Sequence, residues 1–175
     1  MTMYRAIIGL GNPGRGYHHH RHTIGFRVLD ALASAYASDW QKRPDMEVAE
    51  IRIHEHPIIL IKPQTFMNDS GKVIPMLLKK GIKAEQVLVV HDELEKSFGH
   101  LSIKVGGSAK GHNGLRSIIQ QLGMDFARLK VGIGRPENKE DVGTYVLSNF
   151  SPFEEAILVQ TIIPQALTII EKTYQ

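Results

Sequence analysis

Two side chains far apart in the chain have the types needed to move a proton at neutral pH: His22 and Asp92. His22 stands directly ahead of a helical pattern, where the helix dipole disfavours imidazolium and keeps the neutral, proton-accepting ring. Asp92 lies in His91-Asp92-Glu93, just past a strongly apolar run at 86–90. Functional groups of open α/β sheets gather beyond the carboxyl ends of strands. An acidic turn without a role accounts for the same three residues. The chain has no cysteine and no G-x-S-x-G elbow, so the usual acyl-enzyme nucleophiles are missing. A His–Asp pair alone points to water as the attacking group.

Gly9-Leu10-Gly11-Asn12-Pro13-Gly14 matches the G-x-G-x-x-G pattern of dinucleotide loops. Its chemistry fails the match: Pro13 has no N–H for a pyrophosphate, the next helical pattern waits until Thr23, and no acidic residue closes the next strand. A tight turn that needs glycines fits better. His18, His19 and His20 sit at consecutive loop positions, which do not impose the convergent geometry of a dedicated metal site, and they read as solvated. Asn12, Asn68 and Asn113 all fall at strand-to-helix turns, each with a neutral donor and acceptor. Capping explains any one of them, whereas the recurrence suggests a shared site.

These groups need a scaffold. The apolar run at 4–10 reads as a buried strand. Phe26, Leu29, Leu32, Ala33 and Tyr36 recur at helical spacing and predict a helix over 23–37, with Thr23 as its N-cap. Residues 46–53 and 57–62 flank His54-Glu55-His56 and predict an antiparallel hairpin. A second helix follows Asn68-Asp69-Ser70 and closes at Gly81. Strands are expected at 86–90, 101–105 and 127–133, with a helix over 114–122 and a loop around 138–148. Ser151-Pro152-Phe153-Glu154 combines a capping box with proline at the first helical position, and Pro164 should kink or split the helix that follows. The alternation predicts an α/β fold: a single domain over residues 1–175, a mixed twisted β-sheet with helices on both faces.

Composition agrees with that picture. A chain of 175 residues that is 42% hydrophobic buries about 70% of its unfolded surface without staples. The missing cysteines exclude disulfides and thiolate zinc sites. A formal net charge of +3 permits a polyanionic partner without announcing one. No apolar stretch is expected to reach the ~20 residues of a membrane span, and the opening residues Met1 to Arg5 lack signal-peptide form, so a cytoplasmic protein is expected.

Taken together, Gly9 to Gly14 with Tyr17, Arg21-His22, Pro63 to Gly71, His91 to Leu94 and Gly111 to Leu115 resemble the bacterial-type peptidyl-tRNA hydrolases. The blocks follow in order from about Tyr4 to Leu147. The resemblance implies a monomeric enzyme, with no cofactor, metal or membrane, that cuts the ester joining a peptide or N-blocked amino acid to the terminal ribose of tRNA. It implies His22 as general base, Asp92 as its support, and Asn12 as the residue separating N-blocked from free-amine substrates. Tyr17, Phe66, Met67, Asn68 and Asn113 match positions at the substrate end. Gly111 and His112 line the same loop, and Lys104 and Lys130 match basic positions for RNA phosphate.

The chain departs from the family pattern at Thr23, where Asn is usual, at Asp69, where an apolar residue is common, at Lys110, which replaces a frequent glycine, and at Lys130, where Arg is common. Its C-terminal end also stops early relative to many members. Two rivals use the same residues: a non-catalytic RNA-binding protein of the same fold, and a metal-dependent hydrolase built on His22, His91 and Asp92.

Overall fold

A computed structural model describes residues 3–175; Met1 and Thr2, part of the opening stretch weighed as a signal peptide, lie outside the described residues. The apolar runs become strands of one mixed sheet: β1 Ala6–Gly9, β2 Gln41–Arg43, β3 Met46–Ile53, β4 His56–Pro63, β5 Val87–Glu93, β6 Leu101–Val105 and β7 Ala127–Gly132. Their spatial order is β2-β3-β4-β1-β5-β7-β6. β4, β1, β5 and β7 run parallel in the centre, and β2, β3 and β6 are antiparallel additions at the edges. The expected hairpin pairs Ile53 with His56. β2 was not anticipated, because the exposed Gln41-Lys42-Arg43 carries no apolar pattern.

Side chains alternate across each strand, so the sheet builds two cores. Ile7, Leu88 and Val90 face α1 (Ile24–Ala35), while Ile8, Val87 and Val89 face a 3₁₀ turn (Met67–Val73), α2 (Ile74–Lys79) and α3 (Asn113–Leu122). α4 (Val142–Val146) lies within the stretch read as a loop, following a 3₁₀ turn at Lys139–Asp141. The chain closes with α5 (Pro152–Ile157) and α6 (Ile163–Lys172), whose apolar residues join the α1 core.

The expected capping box is present: Ser151 Oγ accepts from the Glu154 N–H at 3.1 Å, and Glu154 Oε1 accepts from the Ser151 N–H at 2.8 Å. Pro164 does not split the helix. A π turn at Leu158–Ile162 joins α5 to α6, and this wider turn absorbs the missing N–H and the ring of Pro164 at the start of α6. The resulting 21-residue helix, Pro152–Lys172, is long and apolar enough to cross a membrane by length and composition, which corrects the expectation that no stretch is. Leu158, Ile162, Ala166 and Ile170 instead bury one of its faces in the core.

The glycine motif acts through close packing. A Cβ on Gly25 would overlap the Leu10 nitrogen and the Val90 carbonyl, and one on Gly9 would overlap the Gly25 carbonyl. These two glycines let the start of α1 press onto the carboxyl ends of β1 and β5. Thr23 consequently does not cap α1 with its side chain; its Oγ1 accepts the Asn12 N–H at 3.3 Å. The turn after β1 and the start of α1 are thereby tied together.

Candidate active site

β5 extends through His91, Asp92 and Glu93, so Asp92 belongs to the end of a strand rather than to a turn. Its buried carboxylate meets two imidazoles. His22 Nδ1 lies 3.0 and 2.9 Å from the two carboxylate oxygens, and His112 Nε2 lies 2.8 Å from Oδ1. A carboxylate only accepts, so both facing nitrogens carry protons. His22 keeps Nε2 as its lone-pair nitrogen, without a protein partner among the described residues, and its ring lines a cleft of about 390 Å³.

Burial opposes the charge on each partner, but the mutual attraction and hydrogen bonds outweigh it. Asp92 is held well below the usual carboxylate range, and His22 is raised above its ordinary 6.5. This corrects the expectation drawn from the helix dipole: the adjacent carboxylate decides the direction, and it favours the charged ring. His91 behaves oppositely. Burial first, and His112 second, push it down to about 4, so the ring stays neutral with Nδ1 donating to the Asp92 carbonyl at 2.7 Å. Its Nε2 is buried and unpartnered.

His112 is the N-cap of α3. Its Nδ1 accepts the N–H groups of Gly114 at 3.1 Å and Leu115 at 3.3 Å, a role the sequence left to asparagine chemistry. Asn113 is the first helical residue, exposed, with Oδ1 accepting from Arg116. Asn12 is buried, and its Oδ1 accepts the Met67 N–H at 2.8 Å, which leaves the Nδ2 amide protons for another partner. Met67 itself is buried against Gly114, where any Cβ would overlap its sulfur. Phe66 is 60% exposed beside Tyr17, with ring centroids 6.2 Å apart edge-on, and Asn68 is exposed next to it. The structure thus brings Asn12, Tyr17, Phe66, Met67 and Asn68 into one neighbourhood.

Gly111 and Lys110 lie on the cleft wall formed by residues 108–113, and Val142, Gly143 and Val146 of α4 help form another part of its lining. Lys104 is exposed on edge strand β6, whereas Lys130 is largely buried with its Nζ 3.3 Å from Glu93. Two arginines that brace the site carried no assigned role in the sequence reading. Arg128 is buried in β7 and donates to the carbonyls of Ser108, at 2.8 Å, and Gly107, anchoring the wall that carries His112. Arg21 donates to Ser148 Oγ at 2.6 Å and Glu154 at 2.8 Å beneath the Tyr145 ring, which ties the segment after α4 to the residue beside His22. A charged residue inside an apolar strand was the available signal for Arg128, and the Arg21-His22 block was the signal for Arg21.

The ligand atoms of His22, Asp92 and His112 lie within 4.8 Å of one another, close enough to consider an ion. The donor set does not fit one. A metal on His112 Nε2 would need a proton on Nδ1, where two helix N–H groups already donate. The alternative set with His91 does not converge, since that ring is turned to the Asp92 carbonyl and its other nitrogen is buried.

Fold and site define an open-sheet α/β protein in which a buried carboxylate orients a histidine at the edge of a cleft. The sequence matches the model of the peptidyl-tRNA hydrolase family over residues 6–175. It is 45% identical over 159 residues to the peptidyl-tRNA hydrolase of Rickettsia prowazekii, covering 89% of this chain and 86% of that protein. The Aquifex aeolicus peptidyl-tRNA hydrolase is 44% identical over 164 residues, covering 90% and 84%. The crystal structure of peptidyl-tRNA hydrolase from Acinetobacter baumannii superposes with a TM-score of 0.86 at 36% identity, covering 98% of this chain and 96% of that one. The chain belongs to the peptidyl-tRNA hydrolase family.

Proposed function

We propose that this protein hydrolyses the ester between a peptide, or an N-blocked amino acid, and the terminal ribose of tRNA, recycling stalled peptidyl-tRNA. The observation that carries the proposal is the His22 ring, anchored through Nδ1 on Asp92 with Nε2 unengaged at a cleft. Water held at Nε2 attacks the ester carbonyl as the ring takes its proton. The tetrahedral oxyanion collapses, the carbon–oxygen bond to ribose breaks, and the imidazolium returns its proton to the departing ribose oxygen. The products are a free peptide acid and a tRNA with its terminal hydroxyl restored.

In this proposal the Asn12 Nδ2 amide donates to a substrate carbonyl and selects N-blocked substrates, and Asn68 donates to the developing oxyanion. Tyr17, Phe66, Met67 and Asn113 shape the seat for the substrate end. Gly111 and His112 border it, and Lys104 and Lys130 supply positive charge for RNA phosphate, with Lys104 the freer of the two because Lys130 is paired to Glu93. Residues 1–175 act as a single domain, and the protein works as a cytoplasmic monomer without cofactor, metal or membrane.

The test is hydrolysis of N-acetylaminoacyl-tRNA by the wild type and by His22→Ala, with folding checked by circular dichroism. The expected result is turnover of the blocked substrate, little release from free-amine aminoacyl-tRNA, and a loss of ~10²–10⁴-fold in the variant. Tight tRNA binding with no turnover in the wild type would favour the non-catalytic RNA-binding reading instead.

A further inference from the structure

Asp92 serves two rings at once, and the second ring is held by something other than the carboxylate. His112 Nδ1 is occupied by the N–H groups of Gly114 and Leu115, so the hydrogen bonds of the α3 N-terminus leave its single ring proton on Nε2. That proton can only point at Asp92 Oδ1, 2.8 Å away, the same oxygen that lies 3.0 Å from His22 Nδ1. The two rings stand 4.8 Å apart, centroid to centroid, and the His112 side chain is 10% exposed. An acceptor shared by two donors gives less of its charge to either.

We propose that His112 is a positioning residue which, by donating to Asp92, draws carboxylate charge away from His22 and so sets the pH at which His22 is free to act as base. This rests on the reading of His22 as the general base. Removing the His112 donor leaves Asp92 a stronger partner for imidazolium, so His22 holds its proton to higher pH and the acid limb of the rate profile moves up. Other charged or titratable groups around His22 cannot substitute for this control. His20 is the N-cap of the turn that carries His22, but its ring packs edge-on against Tyr17, centroids 5.3 Å apart, and Arg21 is engaged with Glu154. His91 sits behind Asp92 as a neutral ring, and Glu93 is paired with Lys130. Lys110, Arg135 and Lys139 line the cleft without a bond to either His22 or Asp92 among the described residues, and α4 presents only Val142, Gly143 and Val146.

Two substitutions separate this role from simple support of the helix. In His112→Asn the short side chain can still cap α3 but cannot reach Asp92; in His112→Gln the longer amide can reach Asp92 but abandons the cap. His22 is followed by its ring-proton NMR signals against pH in the full chain, which needs no turnover, and the pH–rate profile is recorded alongside. The expected result is an upward move of the His22 titration in His112→Asn and a titration close to wild type in His112→Gln. The ratio of activity at pH 6 to that at pH 8.5 should fall roughly tenfold in His112→Asn, the effect of moving one titration by about a unit. His22 titrating alike in wild type and His112→Asn, or moving upward only in His112→Gln, would overturn the proposal. A shifted His22 titration in a protein that hydrolyses no ester would sink the functional reading and leave the sharing of Asp92 intact.

Discussion

Acid should weaken this fold chiefly through His91, the histidine pushed down to about 4, before its carboxylates are protonated. The ring is fully enclosed at the end of β5, and burial with the nearby His112 pushes it from 6.5 down to about 4. An unfolded chain takes up a proton at this histidine near pH 6.5, whereas the folded one resists until about 4, so stability falls with pH across that window. Between pH 7 and pH 5 the loss is about 2 kcal/mol, obtained by integrating the difference in bound protons. His22 acts with the opposite sign: its raised value contributes stability that is present below 6.5 and is lost as pH rises through the folded value. Asp92 contributes stability above the ordinary carboxylate range that is lost only as pH falls below it. The assay is urea unfolding at pH 7 and pH 5 for the wild type and His91→Gln. Taking the difference between the two pH values within each protein cancels the packing change, and comparing the proteins cancels His22 and Asp92. The wild type should lose about 2 kcal/mol more than the variant over this interval. Equal losses would refute the claim that the enclosed ring is held neutral.

Gly25→Ala should cost about 1–3 kcal/mol, because its Cβ overlaps the Leu10 and Val90 backbone, and it should lower hydrolysis further by moving His22 from Asp92; thermal melts and rates on N-acetylaminoacyl-tRNA check both. Arg21→Lys keeps the charge but loses the planar fork that spans Ser148 and Glu154, so faster amide exchange over 145–150 and a raised KM are expected, and unchanged exchange would contradict the tie. A strong chelator should leave the rate of the purified protein unaltered, since the His112 cap denies a metal its ligand; a loss restored by added zinc would reverse that assignment.

Much of the fold was legible because local pattern and final position agree. Alternation in 46–53, the apolar run at 57–62 and the box at Ser151 to Glu154 each specify an element from a few consecutive residues. The His22 and Asp92 candidates were legible for a similar reason, since each stands at the edge of a strongly patterned segment. Elements with weak pattern were not: exposed β2, the short α4, and the π turn that carries the last helix past Pro164 depend on neighbours rather than on their own residues.

From its residues alone, then, the chain determined the strands other than β2, the main helices and the kinds of groups available for proton transfer, because period and capping act over a handful of positions. Tertiary structure decided which groups meet. Seventy residues of chain separate His22 from Asp92, and the pairing of β1 with β5, the glycine contact of α1 with both strands and the Thr23–Asn12 hydrogen bond close that gap. The charge preference of His22 and the tautomer of His112 follow from partners in other elements, since a proton's position depends on what stands within hydrogen-bond distance, not on the residues beside it in the chain.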